Sequence, residues 1–166
     1  MFTQGQLKVI KYCAEECERQ SSGEVSVYDM LNGWQFASIE RDLGTNLDCD
    51  FIEALGRTVE PVDNKNGFRQ IRIFVGDGWN NIEKAPWENV PRLLNLLLES
   101  YYEGILMEAP MHPLANNAED QFYFEYENIH PFRDGNGRSG KIIYNYLCGT
   151  LNNPMMPTNF WGSSNP

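Results

Sequence analysis

Nine consecutive residues combine the side chains that phosphate chemistry requires: positions 130–138, with the sequence HPFRDGNGR. His130 can act as a general base, because an imidazole titrates near neutral pH. Asp134 offers a hard oxygen ligand for Mg²⁺, which proteins usually hold with one or two carboxylates together with substrate phosphates. These two side chains predict a base and a metal ligand within one loop.

The second half of this stretch is suited to bind an anion. Gly135 and Gly137 have no Cβ, so the backbone there can adopt left-handed angles and approach an anion closely. Asn136 can donate an amide N–H to a phosphoryl oxygen. Arg138 places a cation at the predicted start of a helix, whose dipole also favours negative charge. A base, a metal ligand and an anion cradle together predict phosphoryl or nucleotidyl transfer.

Apolar periodicity predicts that α-helices flank this loop and make up most of the chain. The two flanking helices are predicted over Asn117–Ile129 and Ser139–Leu151, and the segment from Met111 to Ile129 holds one or two helical pieces in all. Ser26 and Asp29 have the spacing of a capping box at the start of an earlier helix. The helices predicted earlier in the chain cover residues 4–19, 26–42, 50–58 and 86–104.

The stretch from Phe68 to Val75 has β character instead, because it is rich in β-branched and aromatic residues. A partner strand is predicted near Trp79–Glu83. The tail, residues 152–166, is predicted to be extended, with Phe160 and Trp161 fixing it to the rest of the molecule. The expected fold is therefore mostly α, with one short β-hairpin.

The composition is that of a soluble globular protein, with 166 residues of which 42% are hydrophobic and 22% charged. No apolar run approaches the ~20 residues that a membrane span needs, and the N-terminal residues lack the pattern of a signal peptide. A cytoplasmic protein with no membrane partner is expected. The net charge of −10 argues against a general nucleic-acid binder, which needs a basic surface. A nucleotide needs only a few local cations, and Arg133, Arg138 and Lys141 cluster at the loop.

The residues from His130 to Arg138 match, without a gap, the motif HPFxDGNGR of the Fic family, which the chain resembles over about residues 51–151. The resemblance includes the β segment upstream of the motif and the apolar helix between them. It implies a Fic-type helical bundle with a β-hairpin flap near the active site. The whole chain, 1–166, is then expected to be a single Fic domain, with N-terminal helices over 4–42 and the extended tail over 152–166.

The activity that the resemblance implies is that of a protein adenylyltransferase, which moves AMP from ATP onto a hydroxyl side chain of a target protein. His130 would deprotonate this hydroxyl, and Asp134 would hold Mg²⁺ between the α- and β-phosphates. The anion hole and the contact with the outer phosphates would come from Gly135, Asn136, Gly137 and Arg138.

The resemblance also assigns a docking role to the β segment, which looks like the family's flap. It would bind a segment of the target protein by adding a strand, a mode that depends on main-chain hydrogen bonds. Arg133 is either a surface charge or a further contact with the target. The residues expected to form this target-docking flap are Arg69, Gln70, Ile71, Arg72, Ile73, Phe74 and Val75.

Some positions depart from the family's usual pattern. The second arginine that the family often has is replaced by Lys141, which keeps the positive charge for the γ-phosphate but loses the bidentate fork. Gly137 stands where the kinase-like Doc branch has a lysine, which leaves room for a whole triphosphate and favours AMP transfer over phosphorylation. Many Fic proteins carry a glutamate that competes with the γ-phosphate of ATP, and Glu40 is the nearest match, within an imperfect motif from Phe36 to Arg41. Otherwise an antitoxin-like partner would supply the inhibition.

Three functions remain open from the sequence. The first is an active AMP-transferase with ATP as co-substrate, Mg²⁺ as cofactor and an unidentified protein as target. The second is a nucleotide-binding or partner-binding module of Fic fold with weak or no turnover, for instance because of Lys141. The third is transfer of another phosphate-containing group, such as UMP or phosphate.

Overall fold

Six α-helices and one short antiparallel hairpin form the described part of the protein, a computed structural model that describes residues 1–20, 23–76, 81–108 and 111–161. The predicted fold, mostly helical with a short hairpin, is confirmed. The helices and strands, in chain order, are α1 (Gln4–Arg19), α2 (Glu24–Asp42), α3 (Cys49–Val59), β1 (Phe74–Val75), β2 (Ile82–Glu83), α4 (Val90–Tyr102), α5 (Ala118–Ile129) and α6 (Asn136–Cys148).

The N-terminal helices agree with the prediction except at the start of α2. Helix α1 has the predicted bounds, and a capping box between Thr3 and Gln6 fixes its first turn. Helix α2 begins after Gly23, whose extended backbone takes the N-cap position without a side-chain hydrogen bond. The prediction of a capping box at Ser26 and Asp29 is therefore wrong, because both residues already lie inside the helix.

The next two long helices lie close to their predicted positions. Helix α3 is capped by Asp48, whose Oδ1 accepts a hydrogen bond of 2.7 Å from the Phe51 N–H. A single 3₁₀ turn, Trp87–Asn89, leads into α4, and Pro91 lies in the first turn of α4, where its missing N–H costs no intrahelical hydrogen bond. The left-handed backbone of Gly104 (φ 74°) follows the end of α4.

The hairpin is shorter than the predicted strand. Only Phe74 and Val75 of the stretch 68–75 form a strand, and they pair with Glu83 and Ile82. The prediction of a strand over residues 68–73 is wrong, because the Arg69 N–H donates to the carbonyl of Pro131 instead of to a neighbouring strand. Residues 79–80 of the predicted partner strand lie outside the described residues.

The motif of residues 130–138 follows the end of α5 and runs into the first turn of α6. Helix α6 begins at Asn136, three residues before the predicted Ser139. Phe132 anchors the motif in the core: its side chain is fully buried and its ring lies 5.5 Å from that of Phe68. Gly56 in α3 makes this possible, since a Cβ there would come within 2.1 Å of the Phe132 ring.

The tail is fixed to the helices by aromatic contacts, as predicted. Phe160 is buried in a second apolar cluster with Tyr123 and Tyr144, and Trp161 packs against that cluster. Residues 162–166 lie outside the described part of the chain. Within the described residues, no helix combines the length and the apolar character that crossing a lipid bilayer requires.

Candidate active site

One cleft of about 550 Å³ gathers most of the predicted site residues. Seven residues of the motif line it, His130 and those from Arg133 to Arg138. Strand β1 and the following Gly76 also line it, as do Gln20, Gly23 and Ser26. This volume lies within the range of small-molecule sites, roughly 300–1,000 Å³. The fold therefore brings the motif, the hairpin and the adjoining ends of α1 and α2 to one cleft.

His130 has a strained backbone. It is the one non-glycine residue with positive φ (φ 53°, ψ 66°) among the residues that the structure describes, and it caps the C-terminus of α5. This left-handed conformation costs a residue with a Cβ about 1–2 kcal/mol. Two hydrogen bonds hold it: the His130 N–H donates to Tyr126 O at 2.9 Å, and Arg69 Nε donates to His130 O at 2.6 Å.

The ring of His130 is held as a neutral base. Its Nδ1 lies 3.3 Å from the carbonyl oxygen of Glu127. A carbonyl oxygen only accepts, so this contact places the proton on Nδ1 and leaves the lone pair on Nε2. Burial lowers the pKa of His130 to about 4, and the positive charges of Lys84 and Arg69 act in the same direction. The imidazole is therefore unprotonated at neutral pH, as a general base must be.

Glu127 is a buried acid beside this base that sequence reasoning missed. Its Oε2 lies 3.7 Å from His130 Nδ1, and its side chain is 11% exposed. Burial raises the pKa of Glu127 to about 7, while the positive charges of Lys141 and Lys84 lower it. The signal for Glu127 in the sequence was its spacing of three residues from His130, because residues three apart lie on the same face of a helix. Glu127 therefore titrates near neutral pH, in contact with the base.

The first turn of α6 forms the anion cradle. Its first intrahelical hydrogen bond runs from Ser139 N–H to Gly135 O at 2.9 Å. The N–H groups of residues 136–138 therefore have no acceptor within the helix. The side chain of Asn136 is not a free donor: Oδ1 accepts from Phe132 N–H at 2.8 Å, and Nδ2 donates to Phe132 O at 2.9 Å. The predicted contact of its amide with phosphate is thereby corrected, because this amide holds the loop closed and leaves the backbone N–H as the donor.

Asp134 offers an accessible carboxylate. Its side chain is 64% exposed, its Oδ1 accepts from Gly135 N–H at 2.6 Å, and its own carbonyl accepts from buried Asn64 at 2.9 Å. No group of three or more His, Cys, Asp or Glu side chains able to hold a metal ion occurs in the described part of the chain. One carboxylate in an open cleft fits Mg²⁺ shared with substrate phosphates and does not fit a metal held by protein ligands alone.

Arg138 is buried between α3 and α6 rather than extended into the cleft. Its Nη1 donates to Val59 O at 3.1 Å, and its Nη2 donates to Glu60 Oε2 at 2.9 Å. The Asp134 carboxylate lies 3.8 Å from the same Nη2. The guanidinium thus borders the cleft with one edge. Nη1 and Nη2 donate to the protein, and the buried Nε has no hydrogen-bond partner among the described residues.

Lys141 is paired with a second residue that sequence reasoning missed. Its Nζ lies 2.5 Å from Glu16 Oε1 in α1, and the two side chains are 3% and 0% exposed. Gln20, the C-cap residue of α1, donates its amide N–H to the same Glu16 oxygen. A Cβ on Gly137 would come within 2.6 Å of that Gln20 amide nitrogen. The end of α1 therefore covers the anion cradle, and the space that Gly137 leaves is bordered by Gln20.

Glu40 lies away from the cleft. Its Oε2 accepts a hydrogen bond of 2.6 Å from Thr45 Oγ1, and the Thr45 carbonyl accepts from the hydroxyl of Tyr146. Tyr146 lies ten residues beyond Asn136 in α6, which at 1.5 Å per residue is about 15 Å. The structure does not bring Glu40 to the motif, and Glu16 is the carboxylate that it places against Lys141.

The predicted flap residues are exposed or half-buried, except for Arg69, which is buried. Phe74 and Val75 border the cleft, and the side chains of Ile71 (44%) and Phe74 (53%) are exposed. Arg72 is exposed and paired with Glu83 at 2.6 Å. Gln70 is exposed and Ile73 half-buried. Arg69 is different, since it is 2% exposed and is corrected from a surface flap residue to a buried one.

Comparison with known proteins identifies relatives of this chain. The sequence model of the Fic/DOC family matches residues 46–148. A curated relative, "Protein adenylyltransferase Fic" of Culex quinquefasciatus, is 32% identical over 103 residues, which is 59% of this chain and 18% of that protein. A solved structure of a Fic-domain-containing signaling protein from Bacteroides thetaiotaomicron has a similar fold, with a TM-score of 0.63 and 21% identity over 81% of this chain and 51% of that one.

Proposed function

The chain belongs to the Fic/DOC family, and from this membership and its site we propose that it transfers AMP from ATP to a hydroxyl side chain of a target protein. One observation carries the proposal: a neutral histidine, an exposed carboxylate and a helix N-terminus border the same cleft beside a β-hairpin. The chain spans 18% of the length of its curated relative, whose name is that of an adenylyltransferase. That name supports a transferase reaction here.

The proposed reaction needs one proton acceptor and one leaving group. Nε2 of His130 takes the proton of the target hydroxyl, whose oxygen then bonds to the α-phosphorus of ATP. The bond from that phosphorus to the bridging oxygen of the β-phosphate breaks, and pyrophosphate leaves. A single hard carboxylate fits Mg²⁺, and Asp134 would hold this ion, which would neutralise charge on the leaving phosphates.

The phosphate contacts are assigned to the start of α6. Backbone N–H groups of residues 136–138 would bind the phosphates at the positive end of the helix dipole. Arg138 would add its cleft-facing edge, while Nη1 donates to Val59 O and Nη2 to Glu60 Oε2. Lys141 reaches a phosphate only if its ion pair with Glu16 opens. Nucleotide binding would therefore compete with this pair, so Glu16 takes the inhibitory role that the sequence suggested for Glu40.

The target would dock along β1. Phe74 and Val75 line the cleft, and their hairpin presents exposed apolar side chains beside His130. Addition of a strand depends on main-chain hydrogen bonds, so it accepts many target sequences. This arrangement would bring a target hydroxyl to the base without a deep side-chain pocket.

A second candidate is a Fic-fold module that binds nucleotide but turns it over weakly or not at all. The observation that favours it is the pairing of both expected phosphate cations, Arg138 with Glu60 and Lys141 with Glu16. In this case the carboxylates would stay in place, and the cleft would bind a nucleotide without transfer.

Labelled ATP distinguishes the two candidates. The protein is incubated with ATP labelled in the α-phosphate, Mg²⁺ and a cell lysate, and labelled proteins are identified by mass spectrometry. Transfer should disappear in His130→Ala and persist in His112→Ala, the matched control at the other histidine, which packs on Phe124 and Phe160. ATP binding without label on any protein would contradict the transferase and support the binding module.

A further inference from the structure

Arg69 connects the backbone of the catalytic base to the hairpin. Its guanidinium is buried and donates to four carbonyl oxygens: Nε to His130 at 2.6 Å, Nη2 to Ile129 at 3.1 Å and to Ala85, and Nη1 to Ile71 at 2.8 Å. Hydrogen bonds from a charged donor are roughly twice as strong as neutral ones. The side chain therefore holds four backbone positions at once.

These four carbonyls belong to two parts of the site. Ile129 and His130 end α5, where the last carbonyls have no partner within the helix. Ile71 leads into β1 and Ala85 follows β2, so the other two carbonyls belong to the two arms of the hairpin. One cation thus joins both arms of the hairpin to the left-handed backbone of the base.

We propose that Arg69 is a positioning residue for the transfer reaction, one that fixes the backbone of His130 and sets its position relative to the target-docking hairpin. The inference rests on the proposed function for its effect on rate. An arginine is required, because four acceptors in different directions need the planar fork of five donors, whereas a lysine has three donors on one nitrogen.

Arg69 contacts neither the phosphate cradle nor Asp134, so ATP binding should not depend on it. In the proposed function the hairpin docks the target and His130 takes the proton of the target hydroxyl. The rate should therefore depend on the distance between the hairpin and His130. A misplacement of about 1 Å in such a geometry can cost 10²-fold in rate. Replacement of Arg69 should therefore lower kcat while the KM for ATP stays nearly constant.

The experiment compares Arg69→Lys and Arg69→Met with Arg57→Met. Arg57 is a neighbouring, half-exposed arginine paired with Glu53, outside the site, and serves as the matched control. Three properties are measured: the imidazole NMR signals, the hydrogen exchange of the Lys84 amide, which bonds Ile73 O across the hairpin, and the kcat and KM for ATP in AMP transfer. The chain has two histidines, so the signal of His112 serves as an internal reference.

In Arg69→Lys, the signal of His130 should shift while that of His112 does not, the Lys84 amide should exchange faster, and kcat should fall about 10²-fold. An unmoved His130 signal, or a raised KM for ATP with kcat retained, would overturn the proposal. If neither Arg69 variant folds, the Arg69 Nε–H of the native protein decides: slow exchange supports the bond to His130, and fast exchange overturns it. If the native protein transfers no AMP, the NMR and exchange results still test the coupling, and only the proposed function fails.

Discussion

Replacing Glu16 with glutamine should destabilise the protein and at the same time strengthen its binding of ATP. Glu16 Oε1 lies 2.5 Å from Lys141 Nζ, and both side chains are almost fully buried. Lys141 stands at the position expected to contact the γ-phosphate. In the proposed function the carboxylate and the nucleotide would compete for this one cation, so removal of the carboxylate should affect folding and binding in opposite directions.

The size of both effects follows from the burial of the pair. Loss of one partner of a buried ion pair costs about 3–5 kcal/mol, because the remaining charge has no counter-ion. Glutamine still offers an oxygen to Lys141, so the expected loss of unfolding free energy is about 3 kcal/mol, at the lower end of this range. If a similar free energy opposes ATP in the native protein, its removal should tighten ATP binding roughly 10²-fold, since 1.4 kcal/mol is a factor of ten.

Two measurements check this prediction: urea unfolding, and calorimetric titration with ATP and Mg²⁺ in the His130→Ala background, which removes the proposed base. The matched control is Glu15→Gln, whose carboxylate is 56% exposed and lies 3.7 Å from Lys11. This exposed pair should contribute less than about 1 kcal/mol to stability, and its loss should leave ATP binding unchanged. A destabilised Glu16→Gln protein with unchanged or weaker ATP affinity would refute Lys141 as a phosphate contact.

Three further changes test other parts of the site. Burial raises the pKa of Glu127 from 4.5 to about 7, so the folded state binds the extra proton and stability falls as pH rises through this window. Glu127→Gln should remove this fall, which urea unfolding at pH 4.5 and 7.5 would measure as a difference of roughly 3 kcal/mol at most; parallel pH profiles would contradict it. Asp134→Ala should abolish AMP transfer and change stability by less than about 0.5 kcal/mol, because the side chain is 64% exposed, and a large loss of stability would identify a structural cap instead. Gly56→Ala would place a Cβ 2.1 Å from the Phe132 ring, so overpacking should lower the unfolding free energy by about 1–3 kcal/mol; a stabilised variant would show that the ring can move.

Local patterns in the sequence predicted the parts of the fold that local interactions determine. Helix α1 has its predicted bounds because its apolar spacing and its capping residues agree. The stretch 68–73 was predicted as a strand from its β-branched residues, yet Arg69 directs the backbone toward the motif by bonds to residues about sixty positions away. The start of α6 was predicted three residues too late because its first turn contains Gly137, and glycine is a poor helix former.

The candidate site was predictable where the motif itself carries the chemistry and not where distant residues complete it. His130, Asp134 and the start of α6 border one cleft, as the motif indicated. Glu16 lies in the first helix, and no spacing pattern relates it to Lys141 in the last one. Their contact arises from helix packing in three dimensions, which explains why a local motif search selected Glu40 instead.

Glu16 and Glu127 act on the same lysine, which makes their effects interdependent. The positive charge of Lys141 lowers the pKa of Glu127, and the negative charge of Glu16 raises it. When Glu16 is neutralised, Glu127 should ionise more readily and act as a substitute counter-ion for Lys141. In a protein that already carries Glu127→Gln, this substitute is absent, and the buried lysine loses both carboxylates.

A double-mutant cycle measures this interdependence. Glu16→Gln should cost more unfolding free energy in the Glu127→Gln background than in the native protein. The expected excess is roughly 1 kcal/mol, since interaction free energies within one network are typically about 0.5–3 kcal/mol. The measurement is urea unfolding at pH 7.5, where an ionised Glu127 is accessible. Costs that add within about 0.5 kcal/mol would show that Glu127 does not replace Glu16 as a counter-ion of Lys141.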